Sequence, residues 1–176
     1  MNEVLCISKI EMTKGKPESL LGNFVTDLCL QQYSDADICV MNNGGLRSTL
    51  TKGKITRGDI YTLMPFENEL IILELDRESY LELLQYITKR GGEPFSGIKI
   101  IMDENGAILS QSLDLSNNKV KVLTSDYLAN GGDKMSFFTG KEQELVGIKV
   151  RDAIINHCLA NDTIASKLDN RLSIIE

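Results

Sequence analysis

The chain has 176 residues, enough for one domain with a real core, since chains of about 150 residues bury roughly two-thirds of their unfolded surface. Its composition, 42% hydrophobic and 25% charged, is that of an ordinary globular protein. A net charge of −6 argues against a nucleic-acid backbone binder, which needs a basic face. No apolar run approaches the roughly 20 residues that cross a bilayer, and Asn2, Glu3 and Lys9 deny the start of the chain a secretory-signal pattern.

In chain order, residues 3–10 read as a first strand through Val4, Leu5, Ile7 and Ile10, and Met12 to Pro17 as a polar loop. Leu21, Phe24, Val25 and Leu28 then mark one face of a helix, with Ser19 placed to cap it. Ala36 to Met41 is a short apolar strand followed at once by Asn42-Asn43-Gly44-Gly45. Asn68 to Leu75 is a further strand. Asp76 caps a helix with Tyr80, Leu83, Leu84 and Ile87 inward, which stops at a basic last turn and glycines, Arg90-Gly91-Gly92. Strands are expected at 98–102, 107–110 and 119–124, separated by turn signals at Asn105-Gly106 and Asn117-Asn118. After Asn130-Gly131-Gly132 the pattern predicts a helix over about 146–159, then a short helical piece and a last strand at Leu172 to Ile175. Mixed elements joined by hairpin-type turns favour a single α+β domain over 1–176, with mixed sheets flanked by helices, rather than a regular parallel βαβ series.

The four cysteines, Cys6, Cys29, Cys39 and Cys158, lack metal or redox spacing and read as buried thiols, although sequence alone leaves a disulfide open. The single histidine, His157, reads as structural or surface. A two-metal hydrolase centre needs several imidazole and carboxylate ligands, so no catalytic or metal-ligating residue is expected here.

Two glycine loops share a form. Met41 to Arg47 and Tyr127 to Asp133 each run from an apolar segment through Asn and paired Gly to a charge. Paired glycines let a backbone come close to a ligand, and asparagine supplies both donor and acceptor. In Leu63-Met64-Pro65-Phe66-Glu67-Asn68, a proline fixes the chain just before an aromatic ring at the mouth of an apolar strand. Phe66 there is either a core residue or a stacking surface, and Tyr127 is a second ring that could complete a clamp.

With Glu18 to Asn23, Gly53 to Asp59 and Ser96-Gly97, these motifs, in order over residues 3–160, resemble the C-terminal, substrate-binding domain of the 5'-nucleotidase and UDP-sugar hydrolase family. The resemblance implies that fold. It also implies a separate N-terminal metallophosphatase domain, holding two divalent metal ions and the catalytic residues, to which this domain delivers a nucleotide. By position, Phe66 and Tyr127 would sandwich the base, Asp133 would take the ribose hydroxyls, Asn42 the base edge and Arg47 the phosphate side, with Asn68 and Gly97 as secondary contacts. Tyr127 stands where many members have phenylalanine. Lys14-Gly15-Lys16-Pro17 replaces a region where many carry an arginine, so the second cation is missing or is a lysine. The partner domain is expected either on the same precursor or on a separate chain, in a periplasmic, extracellular or surface-attached setting. Two other readings are a stand-alone nucleoside-binding module and the same fold serving a cyclic-nucleotide, nucleotide-sugar or sulfur-oxidation hydrolase.

Overall fold

The computed structural model describes residues 1–32 and 35–176. The elements run β1 (Val4–Ser8), α1 (Leu20–Gln32), β2 (Ile38–Val40), β3 (Gly53–Thr56), α2 (Arg57–Leu63), β4 (Glu69–Asp76), α3 (Arg77–Lys89) and β5 (Phe95–Ser96). They continue with β6 (Ile100–Asp103), β7 (Ile108–Gln111), β8 (Lys119–Ser125), α4 (Asp126–Ala129), β9 (Gln143–Lys149), α5 (Val150–Ala160), β10 (Thr163–Ile164) and β11 (Leu172–Ile175). The expected α+β class with mixed sheets is what forms.

The centre is a five-stranded sheet in the order β5-β2-β8-β4-β9, flanked by the three-stranded sheets β10-β1-β3 and β11-β6-β7. In the central sheet β2 and β8 run parallel, and the other pairs are antiparallel. Both of its faces are covered, which explains the unbroken run Leu70-Ile71-Ile72-Leu73 in β4. Side chains alternate across a strand, so Leu70 and Ile72 join one core while Ile71, Leu73 and Leu75 join the other. β8 splits in the same way, with Leu123 on the first face and Val120 and Val122 on the second. The first core packs α1, α2, α5 and β1 against the sheet, and the second packs α3 with β6 and the Phe137–Phe138 turn. Each fully buried Leu or Ile contributes about 1.5–3 kcal/mol.

Local chemistry sets the helix starts. Ser19 Oγ accepts from Gly22 N–H at 2.9 Å, as its position predicts. Asp76 caps α3 through Ser79 N–H at 2.8 Å. Thr56 and Asp59 cap α2 reciprocally, a T-x-x-D signature legible in the sequence. Arg171 pins the segment before β11: it donates to both oxygens of Asp27 (2.8 and 3.1 Å), to Asp169 and to the Phe95 carbonyl.

Two expectations change. The first turn of the predicted 146–159 helix is strand, and the helix begins only at Val150. Val146, Ile148 and Val150 fit both periods, and pairing with the open edge of β4 decides for strand. The expected helical piece before Leu172 is absent; that stretch holds the two-residue β10 and irregular chain. All four cysteines are free and buried.

Candidate functional site

The topology explains why distant loops meet. β2 and β8 are parallel, so the segments following both leave at one end of the sheet. β4 is antiparallel to β8, so the segment preceding it arrives at that same end. Those three segments carry Asn42 to Arg47, Tyr127 to Asp133 and Met64 to Asn68. Together they enclose a cavity of about 400 Å³ lined by Asn42, Gly44, Gly45, Arg47, Phe66, Asn68, Tyr127 and Asp133. Small-molecule sites span about 300–1,000 Å³.

Of the predicted site residues, Asn42, Arg47, Phe66, Asn68, Tyr127 and Asp133 line this one cavity, and Gly97 does not. β5 is antiparallel to β2, with Val40 opposite Phe95 and Cys39 opposite Ser96. Gly97, just after β5, therefore lies beside Ile38, at the opposite end of the sheet, and borders a depression with Asp27, Lys99 and Arg171. Its φ of +98° and a virtual Cβ only 2.3 Å from the Asp37 carbonyl explain the glycine by close packing on β2. The residues at the site end are those before β5, Arg90 and Glu93.

The two rings are held out in solvent. Phe66 is 40% and Tyr127 51% exposed, which excludes the core reading of Phe66. Behind Phe66, Glu67 accepts from Arg151 at 2.7 Å and pairs with Lys149. These cations, the lysine hydrogen bond foremost, hold its carboxyl down at about 2. Arg151 also reaches the Met64 carbonyl and lies 4.0 Å from the Tyr61 ring centroid. The Phe66 loop is thus clamped to α5. The Arg47 guanidinium lies 5.9 Å from the Phe66 centroid, at the cavity mouth. Lys14 donates to the Asn43 carbonyl at 3.1 Å, beside the same turn.

The Tyr127–Asp133 loop is strained and tied. Gly131 has φ +92°, and Asp133 adopts φ +55°, ψ +29°, a left-handed conformation costly for a residue with a Cβ. Tyr86 Oη donates to the Asp133 carbonyl at 2.6 Å, and the Tyr127 hydroxyl accepts from Asp133 N–H at 3.2 Å. The hydroxyl that distinguishes Tyr127 from phenylalanine therefore fastens its own loop. The Asp133 carboxylate accepts from Asn42 Nδ2 and from Arg90 Nη1, each at 3.3 Å. Sequence reading missed Arg90, Glu93 and Arg151, because their place follows from strand direction and no local motif marks it.

Elsewhere, His157 stacks edge-on against Phe24 with centroids 5.5 Å apart, and burial lowers its pKa. Both border a more open cleft of about 360 Å³ with Asp27 and Lys167. Among the described residues no three His, Cys, Asp or Glu side chains converge as a metal site. Nor is any helix among the described residues long and apolar enough to cross a membrane.

Fold and cavity define the class: an α+β domain with a small-molecule-sized cavity where three neighbouring strands end. The profile of the family described as 5'-nucleotidase, C-terminal domain, matches residues 4–140, and the chain belongs to that family. An apyrase of Tabanus yao is 25% identical, with 99% of this chain and 38% of the relative aligned. The trifunctional nucleotide phosphoesterase protein YfkN of Bacillus subtilis (strain 168) is 31% identical over 69% of this chain and 10% of its own length. In fold, the chain is similar to the 5'-nucleotidase precursor from Thermus thermophilus, with TM-score 0.85, 21% identity and coverage of 99% of this chain and 40% of that one. The chain thus spans well under half the length of the relatives it matches.

Proposed function

We propose that this chain is the substrate-recognition domain of a metal-dependent 5'-nucleotidase. The observation that carries the reading is the gathering of two exposed rings, one carboxylate and one arginine around a single cavity. The base stacks between Phe66 and Tyr127, and stacking contributes about 1–3 kcal/mol per base. Asp133 accepts hydrogen bonds from the ribose hydroxyls, Asn42 meets the base edge with Asn68 as a secondary contact, and Arg47 faces the phosphate at the mouth. The relatives' names, apyrase and nucleotide phosphoesterase, support a nucleotide ligand. Hydrolysis belongs to a metallophosphatase domain holding two divalent metal ions, which acts on the phosphate that this domain presents. That work takes place outside the cytoplasm, in a periplasmic or surface setting.

The test is calorimetric titration of adenosine and AMP into the metal-free chain, beside a Phe66→Ala/Tyr127→Ala double variant. Binding by the chain that the variant loses is expected. No binding by the intact chain, or equal binding by the variant, contradicts the reading. In a parallel assay the pure chain with Mn²⁺ should leave AMP intact, and robust turnover would overturn the division of labour.

A further inference from the structure

Behind the cavity, a closed ring of contacts joins three parts of the chain. Arg90, just past the end of α3, places Nη1 at 3.3 Å from both Asp133 carboxylate oxygens and Nη2 at 3.4 Å from the Asp133 carbonyl. The same Nη1 lies 3.5 Å from Glu93 Oε1. The Glu93 side chain is 4% exposed, and its other oxygen accepts from the Asn43 backbone N–H at 2.7 Å. Asn42 closes the ring on Asp133 Oδ2. The Arg90 guanidinium lies over the Tyr86 ring, 4.4 Å from its centroid, and the Arg90 carbonyl accepts from Lys16 Nζ at 2.5 Å. The cation is therefore held by stacking and charge together.

Two carboxylates, Asp133 and Glu93, share this one guanidinium, and Arg90 itself does not line the cavity. With Arg90 removed, Asp133 would keep only the Asn42 amide while facing a buried acid of like charge. Its carboxylate would then lose the orientation that leaves its remaining lone pairs turned to the cavity. A carboxylate has about four acceptor sites, enough to serve both the anchor and a ligand.

We infer that Arg90 is the positioning residue for Asp133, with Glu93 coupling it to the Asn42–Gly45 turn, and that selection of a ligand's vicinal diol depends on Arg90 without contact to the ligand. This rests on the nucleoside reading of the cavity. Discrimination between a diol-bearing nucleoside and its dideoxy analogue follows from the fixed geometry of Asp133. Stacking on Phe66 and Tyr127 is independent of it.

The experiment is calorimetric titration of adenosine and of 2',3'-dideoxyadenosine into the wild-type chain, Arg90→Met and Arg90→Lys, with thermal unfolding as a fold control. The wild type is expected to prefer adenosine by about tenfold to a hundredfold, as hydrogen bonds to a charged acceptor provide. Arg90→Met should bring the ratio to within about threefold of one while leaving dideoxyadenosine affinity within about threefold of wild type, the size of error such sums carry. Arg90→Lys keeps the charge but loses the planar fork, so it should fold and fall between the two; it decides the matter if the methionine variant does not fold. A wild-type ratio retained in the variants overturns the inference, and so does an equal loss of both ligands, which marks a merely structural role. Equal binding of the two nucleosides by the wild type overturns it too, leaving the stacking reading standing. Failure of the wild type to bind either nucleoside overturns the nucleoside reading and this inference with it.

Discussion

Gly132→Ala is a minimal change with a large expected effect. A Cβ at this position would sit 2.5 Å from the Tyr127 carbonyl oxygen, 2.6 Å from its Cζ and 2.7 Å from its Cε1. Real Cβ contacts essentially never fall below 3.0 Å, so the neighbours must open by about 0.5 Å or more, a displacement that rigid packing does not absorb. The ring is half exposed and can yield, but the carbonyl is backbone of the α4 turn, so the loop around Gly132 must also shift. Yielding breaks the hydrogen bond from Asp133 N–H to the Tyr127 hydroxyl. It also turns the ring away from Phe66. Loss of one stacking face, at about 1–3 kcal/mol, predicts AMP affinity about 5- to 150-fold weaker by calorimetry. The clash with the Tyr127 carbonyl is with backbone, so the loop must shift and the urea midpoint should fall as well, while Gly132 lies outside both cores and the cooperative fold should survive. An alanine variant that folds normally and binds AMP as the wild type does would refute the placement of Tyr127 in the site.

Other perturbations have equally definite outcomes. Glu67 titrates at about 2 in the folded chain against an ordinary value of 4.5, so its ion pairs add stability above pH 4.5 that is lost as pH falls towards 2. Glu67→Gln should flatten that part of the acid-unfolding curve. Burial lowers the His157 pKa, so protonation favours the unfolded chain and stability should decline as pH falls below the ordinary value of 6.5 and level off below the folded-state value. His157→Phe removes that slope, as pH-dependent thermal unfolding will record. Leu21→Ala, at a fully buried position facing the first core, should cost about 2–5 kcal/mol in urea unfolding. Thr56→Ala, which removes one half of the α2 capping box, should cost about 0.5–2 kcal/mol by the same method.

Much of this architecture is legible in the residues themselves. The Leu70 to Leu75 run, the Asp76 cap and the Tyr80-Leu83-Leu84-Ile87 stripe announce β4 and α3, because burial on two faces and on one face leaves different periods. The paired-glycine loops and the Pro65-Phe66 step point to six of the cavity residues, since Asn-Gly-Gly runs and a proline-fixed ring are local patterns, although of the four paired glycines only Gly131 adopts positive φ. The start of α5 misleads because Val146 and Ile148 suit either period, and only the free edge of β4 selects strand. Gly97 and Arg90 show the same limit at the site. Which end of β5 faces the cavity depends on its direction against β2, and that relation lies between segments about fifty residues apart, as the Asn43–Glu93 contact spans. Arg90 reads locally as the basic last turn of α3, and its partner Asp133 lies 43 residues further on.

The central claim is that a nucleoside base lies between Phe66 and Tyr127. It is tested most directly by intermolecular nuclear Overhauser effects from the base protons of bound AMP in a sample with selectively labelled aromatic rings. The account predicts contacts from these protons to both rings at once. Contacts to Phe24 and His157 in the other cleft, or bound AMP with no contact to either Phe66 or Tyr127, would contradict it.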